Sequence, residues 1–141
     1  MPFDSPMTAV RQLGRKSRWT LVETASVDNP GGTQALGQFN FPPTFLGITA
    51  NYRLQATFST SKGSITGSVQ LYNVTDGEAV TGGLLQTSST SPTTEVGVVL
   101  TVGSAAGNLK DTSKLYEIRA SVTGSDATDI LSIGSVTLSI A

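Results

Sequence analysis

The sequence predicts a single all-β domain, an antiparallel β-sandwich of jelly-roll type carrying an N-terminal arm. Three observations predict it. Apolar and polar residues alternate in short runs from Trp19 to the C-terminus, the pattern of half-buried strands. Clusters of Gly, Asn, Asp, Ser and Pro separate about seven or eight such runs at spacings of roughly 8–15 residues, the rhythm of sandwiches and jelly rolls. No segment holds a helical period beyond about two turns, and no internal repeat points to a propeller or solenoid.

Residues 1–18 form the arm: Pro2 and Pro6, little periodicity, and the cluster Arg11, Arg15, Lys16 and Arg18. The sandwich then occupies residues 19–141. Trp19–Val27 alternates and is β-rich, and Asp28-Asn29-Pro30-Gly31-Gly32 ends it as a turn. Phe39-Asn40-Phe41 is short, because Pro42-Pro43 prevents a sheet from continuing through. Phe39, Phe41, Phe45 and Leu46 are expected to form a wall or lid of the core.

The cleanest run follows. Tyr52, Leu54, Ala56 and Phe58 share one face and Arg53, Gln55, Thr57 and Ser59 the other. Ile65–Tyr72 repeats the alternation after the turn Ser61-Lys62-Gly63, so the two runs are expected to pair as a hairpin. Asn73–Glu78 reads as a loop built on Asp76-Gly77. Further strands are expected at Leu84–Ser88, Thr94–Val102, Lys114–Thr123 and Ile130–Ile140. Val96-Gly97-Val98-Val99-Leu100 resists a helix because of its β-branched residues and internal glycine. In Lys114–Thr123, Tyr116, Ile118, Ala120 and Val122 share a face. In the last strand Ile130, Gly134, Val136, Leu138 and Ile140 do, while Leu131 and Ile133 opposite them suggest burial on both sides near its start.

Composition narrows the function. Of 141 residues 38% are hydrophobic and only 13% charged, against a typical charged share of about 25%. Ser and Thr, roughly a quarter of the chain, must supply the surface, as in extracellular, adhesive and virion β-proteins. A disordered chain is also Ser-rich, but Val, Ile, Leu and Phe recur at regular spacing to the end. The formal charge of −1 gives no general attraction to nucleic acid or an anionic membrane. Outside the arm the balance is acidic.

Histidine and cysteine are absent, which removes the common general base, the usual zinc ligands and the thiolate nucleophile. No two of the ten acids are marked as a glycosidase-type pair, and no phosphate-binding glycine motif occurs. No enzyme and no cofactor is expected. Asp126-Ala127-Thr128-Asp129 and Asp76-Gly77-Glu78 could offer oxygen ligands to calcium, but structural turns are the preferred reading, with no metal assigned. Trp19, Tyr52 and Tyr72 could be sugar-stacking platforms; core packing is preferred for all three. The arm arginines and lysine are the candidate partner-binding residues, a basic clamp for a neighbouring subunit or acidic surface, with a solvated terminal strand as the plainer alternative. No membrane span is expected, nor a secretory signal.

The stretch Val69-Gln70-Leu71-Tyr72-Asn73-Val74-Thr75-Asp76-Gly77, followed by Leu115-Tyr116-Glu117-Ile118-Arg119-Ala120-Ser121-Val122 and a terminal Gly134-Ser135-Val136-Thr137-Leu138-Ser139-Ile140, resembles small jelly-roll structural proteins of tailed bacteriophages. In that group a strand ending in a Leu-Tyr-Asn-Val-Thr-Asp-Gly-like turn pairs with a Tyr-Glu-hydrophobic-Arg strand. The resemblance covers roughly the last ninety residues and has no counterpart to the arm. It implies a virion protein made in a host cytoplasm, foremost a capsid decoration or cement protein, otherwise a head-to-tail or fibre component. The implied partners are the major capsid protein lattice or another virion protein, with a homotrimer as the assembly. The rival reading is a carbohydrate-binding or adhesin module with a glycan ligand.

Overall fold

The structure is a computed structural model of the chain, and it describes residues 18–28, 32–41, 44, 45, 48, 49 and 51–140. Every regular element among them is a strand: β1 (Arg18–Val22), β2 (Ala25–Asp28), β3 (Gln34–Phe41), β4 (Thr44–Phe45), β5 (Ile48–Thr49), β6 (Tyr52–Thr60), β7 (Gly67–Asn73), β8 (Glu78–Thr87), β9 (Thr93–Val96), β10 (Lys114–Val122) and β11 (Ile130–Ile140). One sheet runs β1-β11-β6-β9, with β2 also pairing β11 beyond β1. The other runs β3-β10-β7-β8, and β4 and β5 make a small ribbon of their own.

Every pairing between these strands is antiparallel, and the order has a simple logic. With β1 and β2 counted as one broken strand and the ribbon set aside, the chain is one long hairpin rolled up on itself. Its first and last strands pair (β1 with β11), then β3 with β10, β6 with β9, and β7 with β8. That is the jelly roll.

The alternation of β6 is borne out: Tyr52, Leu54, Ala56 and Phe58 are buried. They meet Val69 and Leu71 of β7, and Tyr116, Ile118, Ala120 and Val122 of β10, in one core between the sheets. The hairpin expected from β6 and β7 is corrected. β6 pairs β11 and β9, whereas β7 pairs β10 and β8. Residues 61–66 carry the chain across the core from one sheet to the other, so the two apolar faces oppose each other instead of lying side by side. The tight hairpin is β7–β8, closed over residues 74–77 with Asn73 opposite Glu78 and Gly77 at φ 68°, a left-handed position that suits glycine.

The last strand also differs from expectation. Its register against β6 shifts between Ile133 and Ser135, and this bulge moves the alternation by one residue. Leu131 and Ile133 before it and Val136 and Leu138 after it are therefore all buried on the core side. A phase change explains the apolar residues at both odd and even positions. The strand expected over Thr94–Val102 is shorter: β9 ends at Val96, the Gly97 N–H donates to the Leu54 carbonyl at 2.8 Å, and pairing resumes where Leu100 exchanges hydrogen bonds with Tyr52. Three residues, 97–99, stand there against two of β6, a second bulge. Phe41 is core and Phe39 packs against it, as expected; Phe45 and Leu46 lie outside the described side chains.

Candidate interaction surfaces

Of the four basic arm residues, Arg11, Arg15 and Lys16 lie outside the described residues. Arg18 is the first residue of β1, and its side chain is exposed. It stands opposite Ser139, which stands opposite Arg53 of β6. Directly opposed residues share a face, so Arg18 and Arg53 flank Ser139 on the outer face of the first sheet. The next rows of that face are Thr20, Thr137, Gln55 and Val96, then Ser135, Thr57 and Thr94, with the Thr57 and Thr94 hydroxyls 2.8 Å apart. Arg53 was legible as an outward residue of β6, but only the register of β11 brings it beside Arg18.

The outer face of the second sheet carries a preorganised polar cluster. The Gln38 amide donates to Glu117 Oε1 at 3.0 Å, and Arg119 Nε donates to the other carboxylate oxygen. These two donors, Gln38 foremost, hold the Glu117 carboxyl below its ordinary range. The Arg119 guanidinium lies 3.4 Å from the centre of the Tyr72 ring, a cation–π contact. Tyr72 is thus corrected from core to a half-buried residue of the outer face, with Arg119 on its ring. Tyr52 is core, and Trp19 packs on it and on Phe41 at ring-centroid distances of 6.2 and 6.0 Å. Those contacts favour the core reading of Trp19 over the sugar platform.

Both calcium candidates are occupied by lysines. Lys62 Nζ sits 2.7 Å from Asp129 Oδ1 and 3.2 Å from Asp126 Oδ2, so an ammonium lies where a cation between these carboxylates would be. The Lys62 contact, reinforced by the Asp126 backbone N–H, holds the Asp129 carboxyl below its ordinary range. At Asp76-Gly77-Glu78, Asp76 takes Lys114 at 3.3 Å and the Asn73 amide at 2.9 Å. Glu78 takes Lys110 at 2.9 Å and the Gly107 N–H at 2.8 Å. Asp76, Glu78, Lys110 and Lys114 line a shallow cleft of about 430 Å³ with Ser104 and Asp111. Among the described residues no group of three or more His, Cys, Asp or Glu is arranged to hold a metal.

No protein-family model matches the sequence, and no curated protein matches it. Among solved structures, the fold matches a chain in the structure of the infectious bursal disease virus Gx strain at TM-score 0.51, with 14% identity over 87% of this chain and 31% of that one. It matches the VP2 subviral particle of the same virus at TM-score 0.51, with 14% identity over 86% of this chain and 30% of that one. The chain therefore spans about a third of the length of those chains. At this identity the likeness is one of fold alone.

Proposed function

We propose that this chain is a non-enzymatic structural protein of a virion, and more narrowly a capsid decoration protein that sits on the shell of a tailed bacteriophage as a homotrimer and reinforces it. The observation that carries this reading is the jelly-roll sandwich, a fold similar at TM-score 0.51 to the infectious bursal disease virus chains. Two further features support it. β7 and β10 pair so that Tyr72 and Leu71 stand opposite Glu117 and Ile118, the juxtaposition that the resemblance to phage jelly-roll proteins leads one to expect. The first sheet presents mainly hydroxyls and Gln55 outward, with Arg18 and Arg53 at one end and Val96 at the edge, a largely polar face suited to lying against another protein without aggregating.

In this reading Arg11, Arg15, Lys16 and Arg18 clamp a neighbouring subunit or an acidic shell surface, and Arg53 adds to the same charge. The test is co-sedimentation of the purified protein with shells of its own virus that lack it, in rising salt, followed by heating of the decorated shells. Stoichiometric binding that weakens with salt, together with shells that survive higher temperature, is the expected result. Failure to sediment with any shell at low salt overturns the decoration role.

A further inference from the structure

Four large apolar side chains stand exposed among the described residues: Leu84 (48% exposed), Val96 (55%), Val98 (65%) and Val99 (39%). All four fall on one edge of the sandwich, where β8 ends the second sheet and β9 ends the first. Glycines create this arrangement. A Cβ on Gly82, whose φ is 85°, would lie 2.8 Å from Val98 Cγ2, and one on Gly97 would lie 3.3 Å from Leu85 Cδ2. The two edge strands approach closely because those side chains are missing, and the bulge at 97–99 leaves Val98 and Val99 facing outward.

Between Ala79 and Leu109 the only charged residue is Glu95. It stands opposite Ala56, on the core side of β9, and is half-buried. Among the described residues β9 pairs only with β6. A short edge strand with one free side, an apolar rim and a single inward acid is a template for an added extended segment.

We propose that this edge receives residues 1–17 of a second copy of the chain. The inference rests on the arm reading above and names its receptor. Residues 1–17 carry Arg11, Arg15 and Lys16 against one acid, Asp4, and space Phe3, Met7, Val10 and Leu13 among them, a composition complementary to an apolar edge holding Glu95. The arm enters the sheet at Arg18 of β1, the edge strand opposite β9 in the same sheet. Three strand spacings, about 15 Å, separate the two edges, so a chain's own arm must cross a face or an end of its sandwich to reach β9. In a head-to-tail array the neighbour's β9 lies beside β1. Seventeen residues span up to about 55–60 Å, ample for that contact. Donor and acceptor are different surfaces, so passing each arm on to the next copy is a heterologous contact that makes a ring such as a trimer where the rotation closes, whereas reciprocal exchange between two copies makes a dimer.

The absence of native cysteine makes the test direct. V10C and V98C are prepared separately, mixed and oxidised, and light scattering is run beside a V96D/V98D double variant. The expected result is a disulfide between the two species, and a double variant that falls to monomer mass while still unfolding in one cooperative transition. The proposal is overturned by no mixed disulfide, by a double variant that keeps the parent's mass, or by a V10C/V98C chain that closes on itself at high dilution. It is also overturned if the parent is monomeric and the double variant loses only shell binding, which would make the edge a shell contact. A ring that forms through this edge yet sediments with no shell refutes the decoration role and leaves the arm contact standing.

Discussion

The two places where edge strands of opposite sheets meet are closed by opposite means. On the β1–β3 side the gap is filled by rings: Trp19 meets Phe41 edge-on at 6.0 Å, Phe41 meets Tyr52 at 5.0 Å, and Phe39 stacks on Tyr116 at 6.0 Å. On the β8–β9 side the gap is narrowed by glycines, which let backbone approach backbone and leave Leu84, Val96, Val98 and Val99 outside. Aromatic volume gives the first edge both its area burial and its ring–ring contacts. The second edge keeps apolar surface unburied, so its contribution falls to association rather than to folding.

The sharpest way to break this contrast is Phe41→Ala. Phe41 is buried and contacts Trp19, Phe39, Tyr52 and Tyr116, so its truncation is expected to cost about 3–5 kcal/mol in urea unfolding. A loss below about 1 kcal/mol, the size of an ordinary point change, would mean that the aromatic edge does not carry the fold.

A smaller effect is expected where the loop at 61–66 meets the one before β11, an end of the sandwich held by charge instead of rings. Asp129 is almost fully buried and faces Lys62 and Asp126. Its carboxyl lies lower in the folded chain than in the unfolded one, where it is about 3.9, so the unfolded state binds more protons over that interval. The associated stability is present in full above the unfolded value and is lost as pH falls through the folded value. Urea midpoints measured from neutral pH downward should decline below about pH 4, and Asp129→Asn should flatten that decline. Some slope should persist, because the Glu117 carboxyl is lowered by Gln38 and Arg119 in the same way. A slope identical in the variant would remove Asp129 from this role.

The smallest expected effect belongs to the open edge. Val98→Ser changes an exposed side chain, and the unfolding midpoint should stay within about 0.5 kcal/mol of the parent. A larger loss would show that Val98 closes its edge as Phe41 closes the other.

Much of the fold was readable because strand formation and facing are local. The β6 alternation from Tyr52 to Phe58, the inward set Tyr116, Ile118, Ala120 and Val122, and the turn at Asp76-Gly77 need only neighbouring residues. The interaction surfaces were less legible. Val96 through Leu100 reads as part of one continuous strand, yet three of its four large apolar residues are exposed, because a bulge at glycine is invisible to alternation. Tyr72 looked like core until the register set it beside Glu117 and under Arg119.

By itself the sequence determined the all-β class, the approximate extent of β6, β7, β10 and β11, the inward face of β6 and β10, the absence of histidine and cysteine, and the concentration of basic residues in the first eighteen positions. Those properties follow from side-chain period, turn residues and charge, each read within a few positions. Only the tertiary structure decided that β6 and β7 belong to different sheets, that β11 changes phase at a bulge, that Arg53 joins Arg18, and that the exposed apolar residues gather on one edge. Each of these depends on which distant strand lies alongside. Backbone hydrogen bonds are chemically alike in every strand, so the choice of partner is made by how the whole core closes.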